Sequence, residues 1–329
     1  MVRQTKWRIA VLYGGDSSER DISIQTGEAV AAALDERGHY VRPVDVRNRS
    51  LNDLDRADCD LAFIAMHGAF GEDGQVQLLL ETRDLPYTGS GVEASRLAMD
   101  KPAAKECFAA HGIPTPEYAA LSEDSPHEEI RAAVVSMGFP QIVKPAREGS
   151  SIGVTVARSV LEATHGLKKC FELDNRALVE RMIRGRELTV AILGRRTLPI
   201  IELIYPGPVF DERAKYTDGV TQHIINPKLL EGVAGEVRAV ALRAHDALGC
   251  RDVSRVDMIL AEDDTPFVLE VNTIPGMTPV SLVPDAARAA GIEFPELCET
   301  LARYALRRTA ARKRNREPGV DGWAIDERP

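Results

Sequence analysis

The residues best placed to do chemistry lie in Val253-Ser-Arg-Val-Asp-Met-Ile-Leu260, the turn Ala261 to Pro266, and Phe267-Val-Leu-Glu-Val-Asn272. With a turn centred on Asp263-Asp264, these strands pair Val256 with Val271, Met258 with Leu269 and Leu260 with Phe267 on one apolar face. The opposite face then pairs Asp257 with Glu270 and Arg255 with Asn272. Side chains alternate with a period of two, so a one-residue slip would mix the faces. Facing carboxylates repel and weaken a strand pair. Two solvated acids on an exposed face would be the bland explanation, but Arg255 and Asn272 complete a convergent polar set. A divalent cation turns the repulsion into attraction, and oxygen-only ligands suit Mg²⁺ rather than Zn²⁺. Magnesium bridges carboxylates to substrate phosphates, so the hairpin predicts a nucleotide.

A place for the phosphates follows Lys144, in Arg147-Glu-Gly-Ser-Ser-Ile-Gly153. Glycines let the backbone approach a ligand closely, and successive N–H groups with the Ser150 and Ser151 hydroxyls can cradle an anion. It is no Walker A loop, because no Gly-Lys-Ser/Thr follows. Alone it could be a plain turn; Lys144 beside it favours phosphate. Gly89-Ser-Gly-Val-Glu-Ala94 matches G-x-G-x-x-A, but its helix leads to Pro114 and Pro116 rather than to a second strand ending in an acid. A dinucleotide site is therefore rejected.

These residues need a frame. Ile9 to Tyr13 is a short apolar strand ending at Gly14-Gly15, Val41 to Val46 a second, and Leu61 to Ala65 a third running into His67-Gly68. Their β-α-β-β order predicts an open, mostly parallel α/β sheet, with the Gly14-to-Glu19 and His67-to-Gly74 loops at its carboxyl edge where ligands bind. Ser95 to Ala110 reads as one helix. Beyond Pro116 come a helix at Glu128 to Ser136, strands at Gln141 to Pro145 and Gly153 to Ala157, a helix at Leu161 to Phe171 and a strand at Ala177 to Arg181. The last unit has strands at Glu187 to Leu193 and Pro199 to Ile204, a long loop, a helix from about Val233 to Leu248, and the hairpin. Arg307 to Arg316 is a basic run read as a frayed helix end with a solvated tail.

A length of 329 residues suits two or three domains. With 50 acidic residues against 41 basic and a net charge of −9, the overall field attracts neither nucleic acid nor anionic membrane. Substrates should be small, and any anion must be held by local cations. The scattered cysteines (Cys59, Cys107, Cys170, Cys250, Cys298) form no C-x-x-C pair and read as buried small hydrophobes in a reduced, cytoplasmic setting. Neither a signal core nor a long apolar span is evident.

With these parts in view, the chain resembles the D-alanine–D-alanine ligase family from Arg8 to about Leu306. The resemblance rests on Tyr13-Gly-Gly-Asp-Ser-Ser-Glu-Arg-Asp-Ile-Ser23, His67-Gly-Ala-Phe-Gly-Glu-Asp-Gly74, Tyr87-Thr-Gly-Ser-Gly91 and Met99-Asp-Lys101. Lys144-Pro, Gly149-Ser-Ser-Ile-Gly-Val154, Glu180, Gly185-Arg-Glu-Leu-Thr-Val-Ala191, Ala214-Lys-Tyr216, the hairpin, Pro275-Gly-Met-Thr278 and Ser281-Leu282 follow in order. It implies an ATP-grasp fold: an N-terminal substrate-binding domain at 1–92 built on an open parallel α/β sheet, and two α+β subdomains at 93–184 and 185–306 that sandwich ATP. A basic, flexible tail would occupy 307–329.

The implied reaction joins two D-alanines through an acyl phosphate, with ATP as co-substrate and two Mg²⁺ ions (or Mn²⁺) held by Asp257, Glu270 and Asn272. Lys101, Lys144 and Ser151 would hold phosphates, with Glu180 at adenine and Glu187 at ribose. Ser150, Tyr216 and Glu19 would form a hydrogen-bonded group, with Glu19 and His67 at the first D-alanine. Arg255 and the Gly276 N–H would face the oxyanion, Ser281 the second carboxylate, and Lys215 the transferred phosphoryl group. On their own, Glu19 could be a helix-dipole acid, His67 a core histidine and Tyr216 a packing residue. Phe210, Arg213, Leu78 and Asp285 depart from the family pattern. The resemblance also implies a cytoplasmic homodimer supplying peptidoglycan synthesis. Alternatives are a D-lactate or D-serine acceptor, or a silent ATP-binding module.

Overall fold

β1 (Arg8–Gly14) shows why an uninterrupted apolar run makes a parallel strand. Ile9, Ala10, Val11 and Leu12 are all fully buried, as befits a strand covered on both faces. In this computed structural model, which describes residues 5–52, 54–55, 57–207 and 220–316 (side chains to 309), β1 lies between β2 (Tyr40–Val46) and β3 (Leu61–Ile64), parallel to both. Ile9, Val11, Leu61 and Phe63 join one core with Val30 and Leu34 of α1 (Arg20–Glu36). Ala10, Leu12, Ala62 and Ile64 point the other way, into a core with Val76 and Leu80 of α2 (Gln75–Thr82).

The helix expected over Ser95 to Ala110 is two helices, α3 (Val92–Met99) and α4 (Lys101–Ala110). Asp100 leaves helical geometry and its side chain accepts the Ala103 N–H at 3.1 Å. With Pro102 in the first turn, this is a well-formed helix start. The Asp-Lys-Pro signal was present, but the apolar periodicity running through it masked the break.

Four antiparallel strands follow in the order β4-β7-β5-β6: β4 (Tyr118–Ser122), β5 (Gln141–Pro145), β6 (Thr155–Ala157) and β7 (Arg176–Arg181). β6 starts two residues later than the expected Gly153, because the Gly/Ser turn takes up that length. One face of this sheet packs on α5 (His127–Met137) and α6 (Val160–Phe171) through Val143, Val179, Val134 and Leu167. Alternation turns Lys144 and Glu180 to the other face, as diagonal neighbours in the β5–β7 register.

The third sheet runs β11-β10-β8-β12-β13, with β9 beside β8. Its members are β8 (Gly185–Leu193), β9 (Arg196–Thr197), β10 (Ile201–Ile204), β11 (Gln222–Ile225), β12 (Val253–Ala261) and β13 (Pro266–Asn272). Leu188, Val190, Val256 and Met258 pack beneath α7 (Glu231–Ala247), together with Ala104 and Phe108 of α4. α8 (Leu282–Ala289) and α9 (Phe294–Arg316) join the core of the parallel sheet. The boundary expected at 307 falls inside α9, where Arg308 donates to Asp252 and, at 2.7 Å, to the Tyr87 carbonyl. Residues 317–329 of the expected tail lie outside the described residues.

Candidate active site

Arg255 pairs with Asn272, Val256 with Val271 and Asp257 with Glu270, as the alternation predicts. Beyond Asp257 the register shifts: Met258 faces Val268 and Leu260 faces Pro266, not Leu269 and Phe267. Leu269 is a bulged residue, and a bulge places two neighbours on one side where simple alternation would separate them. Leu269 and Glu270 therefore both line the cleft, while Val268 is buried in the core. The bulge has an anchor: the Val268 N–H donates to Pro114 O at 2.8 Å, and its carbonyl accepts from Thr115 Oγ1 at 2.8 Å.

Asp257 is almost closed off from solvent. Its carboxylate takes bonds from Arg255 Nε at 2.9 Å and Nη2 at 2.7 Å, Asn272 Nδ2 at 3.0 Å and Thr189 Oγ1 at 2.6 Å. Glu270 is more open and lies 3.9 Å from Lys101 Nζ. Among the described residues no group of three or more His, Cys, Asp or Glu side chains is placed to hold an ion. The donor set here is two carboxylates and an amide, short of a closed cage. That fits Mg²⁺, which keeps waters and takes substrate phosphate oxygens as its remaining ligands.

These acids line one wall of a cavity of about 550 Å³ between the second and third sheets. Lys101, Lys144, Glu148, Ser151, Glu180 and Glu187 are among its other charged or polar lining, and Ile142, Met182, Leu203, Ile259 and Leu269 contribute an apolar slot. The Tyr205 hydroxyl donates to Glu187. Lys101 opens α4, with its N–H on Ala146 O at 3.0 Å and Nζ on Glu148 O at 2.5 Å. Glu180 is buried between two ammonium groups, Lys144 and Lys105, each at 2.8 Å. Burial raises the pKa of the Glu180 carboxyl, but Lys144 and Lys105 outweigh it and hold the group below its ordinary value. Burial also lowers the Lys105 ammonium, to about 8, against the opposing pull of Glu180.

A second group of expected site residues is held by loops and lies outside the lining of this cavity. Ser150 and Ser151 adopt φ of 49° and 60°, a left-handed conformation costing roughly 1–2 kcal/mol per residue outside glycine. The Ser150 hydroxyl donates to Glu19. Glu19 stands at the start of α1 but makes no capping bond, so its carboxylate serves this contact rather than the helix end. A Cβ on Gly149 would lie 2.7 Å from Glu19 Oε2, and one on Gly68 2.8 Å from it; the bare backbones let both loops close on the acid. His67 is buried, with Nε2 3.0 Å from Thr26 Oγ1 and Nδ1 3.3 Å from Glu72. Ser281 accepts the Thr278 N–H at 3.1 Å, and a Cβ at Gly276 would come within 3.1 Å of its Oγ. Tyr216 and Lys215, with the departures Phe210 and Arg213, lie outside the described residues.

Sequence reasoning missed Lys105, Thr189, Tyr205 and the Thr115 anchor. Lys105 carried a signal: it stands four residues after Lys101, on the same face of α4. Thr189 and Tyr205 carried none, since their roles come from strands paired across the third sheet. The rejected Gly89 motif is an internal junction, its N–H on Asp252 at 3.0 Å and its carbonyl on Arg251 at 2.9 Å. Asp285 bonds His223 at 2.8 Å and Arg288 at 2.9 Å, and Leu78 is exposed. All the cysteines are free, and all but Cys107 are buried. No helix among the described residues is long and apolar enough to cross a membrane.

Two β-sheets facing one another across a slot lined with lysines, acids and a Gly/Ser loop, beside a parallel α/β sheet, define the ATP-grasp class. Family models described as D-ala D-ala ligase N-terminus and C-terminus match residues 47–90 and 107–303. A D-alanine–D-alanine ligase of Desulforudis audaxviator is 47% identical over 305 residues, covering 92% of this chain and 99% of its own. One from Pelotomaculum thermopropionicum is 44% identical over 315 residues, covering 93% and 99%. The Bacillus anthracis D-alanine–D-alanine ligase complexed with ATP superposes with a TM-score of 0.82 at 33% identity, over 93% of this chain and 99% of that one. The chain belongs to the D-alanine–D-alanine ligase family.

Proposed function

We propose that the protein joins two D-alanine molecules, using ATP to convert the carboxylate of the first into an acyl phosphate that the amine of the second attacks. The observation that carries this is the facing pair Asp257 and Glu270 at the wall of a cleft whose other lining includes Lys101, Lys144 and the Ser151 loop. A carboxylate is a poor electrophile at neutral pH, and phosphorylation gives it a leaving group. The remaining work is positioning and charge stabilisation. Lys101 and Lys144 hold the nucleotide phosphates, with Ser151 hydroxyl and backbone groups around them. Glu180 and Glu187 stand at the apolar slot for adenine and ribose. Asp257, Glu270 and Asn272 would hold Mg²⁺, which would draw charge from the phosphate oxygens. Glu19, fixed by Ser150, meets the first ammonium, with His67 behind it and Tyr216 completing the group. Arg255 and the Gly276 N–H face the oxyanion, Ser281 takes the second carboxylate, and Lys215 the phosphoryl group. A cytoplasmic homodimer providing a peptidoglycan building block is the setting this reading supports.

The deciding assay supplies ATP, Mg²⁺ and an equal mixture of D-alanine, D-serine and D-lactate, and identifies products by mass. D-Alanyl-D-alanine with stoichiometric ADP and phosphate is expected. The VanG D-Ala:D-Ser ligase of Enterococcus faecalis superposes with a TM-score of 0.79 at 26% identity, so a mixed D-Ala-D-Ser product would redefine the acceptor. No phosphate release with any D-amino acid would end the ligase reading.

A further inference from the structure

Glu180 is one carboxylate held by two lysines, and the lysines differ. Lys144 lines the cleft; Lys105 does not, and its side chain is 1% exposed. Lys105 is fixed from every side, with Nζ 2.8 Å from Glu180, 2.7 Å from Thr115 Oγ1 and 5.3 Å from the Tyr118 ring centroid. Thr115 in turn anchors Val268 beside the hairpin bulge. A buried ammonium is strongly unfavourable unless paired, and one lysine already neutralises one acid. The triad therefore carries a surplus positive charge, and only Lys144 can present it to a ligand.

We propose that Lys105 is a positioning residue for nucleotide binding: it is the standing counter-ion of Glu180, leaving the charge of Lys144 available to phosphate. This rests on the reading of the cleft as an ATP site. Without Lys105, Glu180 has a single counter-ion, and phosphate must compete with a buried carboxylate for Lys144. Lys105 does not line the cleft, so its effect acts through Glu180 and should vanish when Glu180 loses its charge.

The test is a double-mutant cycle read by calorimetric titration of Mg-ATP into wild type, Lys105→Met, Glu180→Gln and the double variant. Lys105→Met should weaken ATP binding at least tenfold, raise KM for ATP accordingly, and leave KM for D-alanine within about twofold. In the Glu180→Gln background the same substitution should change ATP affinity by less than about threefold. An equal loss in both backgrounds would overturn the proposal, assigning Lys105 a direct or purely structural role. Should Lys105→Met alone not fold, comparing the double variant with Glu180→Gln decides the matter: equal affinity supports the proposal, and a tenfold loss refutes it. Wild type that binds no ATP would instead refute the nucleotide reading.

Discussion

The two parts of the candidate site, a strand-built cleft (the deep end) and a loop cluster outside its lining (the mouth), are built on different principles. At the deep end, Lys144, Glu180, Asp257, Glu270 and Thr189 all stand on paired strands, and hydrogen-bond register fixes which face each occupies. At the mouth, Glu19, Ser150, Gly68 and Gly149 belong to loops, held together by a few hydrogen bonds and by the lack of side chains at close approaches. A charge on a strand keeps its place through the whole sheet, whereas a charge on a loop keeps its place only through its local partners. The deep end should therefore govern whether chemistry occurs, and the mouth which substrate is held.

The sharpest way to break that contrast is Glu270→Ala. Glu270 is partly open while Asp257 is buried among Arg255, Asn272 and Thr189, so removing Glu270 relieves its repulsion with Asp257 while the buried Lys101 ammonium loses a 3.9 Å carboxylate contact but keeps its bond to Glu148 O. We expect kcat to fall about a thousandfold, ~4 kcal/mol of transition-state stabilisation, with Tm unchanged or higher. Near-normal turnover at saturating Mg²⁺ would show that the facing acids do not hold metal.

Ser150→Ala tests the mouth. It leaves Glu19 without its hydroxyl donor but keeps the turn, and KM for the first D-alanine should rise about thirtyfold, close to 2 kcal/mol for a hydrogen bond to a charged group. KM for ATP should move less than threefold. A larger change in the ATP constant than in the D-alanine constant would mean that this loop belongs functionally to the deep end.

The same contrast explains what could be read from the sequence. Alternation in the hairpin gave the facing acids, because period-two geometry is local. It failed past Asp257, because the bulge at Leu269 is anchored by Pro114 and Thr115, residues remote in sequence whose approach no pattern encodes. The parallel sheet was legible from the apolar runs of β1 and β3, and the break at Asp100 could have been, from Asp100-Lys101-Pro102. At the mouth, Glu19 and Ser150 could not be joined by spacing; the family resemblance brought them together. Lys105 could be placed on the face of Lys101 by its spacing, but its pairing stayed hidden, because Glu180 lies on a strand across the fold and a lysine on a helix ordinarily faces water.

Gly149→Ala is a milder probe than Ser150→Ala. An added methyl would sit 2.7 Å from Glu19 Oε2, and the acid is the end of a flexible side chain, so it can give way. We expect KM for D-alanine to rise about tenfold with ATP affinity retained, a loss near 1.4 kcal/mol. Equal losses for both substrates would show that the loop had moved as a body.

The smallest expected effect comes from Arg147→Lys, where loop and strand meet. Arg147 forks onto Asp174 with Nη2 at 2.6 Å and Nε at 3.2 Å, while its backbone N–H reaches the same carboxylate at 2.9 Å. Lysine keeps the backbone bond and a single charge contact but loses the fork. Arg147 is about half exposed, so the loss should stay below about 1 kcal/mol, read as a two- to fourfold rise in KM for ATP. Raising salt to 0.5 M should narrow the difference between variant and wild type, since the exposed part of the contact is screened. A salt-independent tenfold effect would mean that the Gly/Ser loop depends on the Asp174 fork as strongly as the deep site depends on its strands, and the division between the two ends would have to be redrawn.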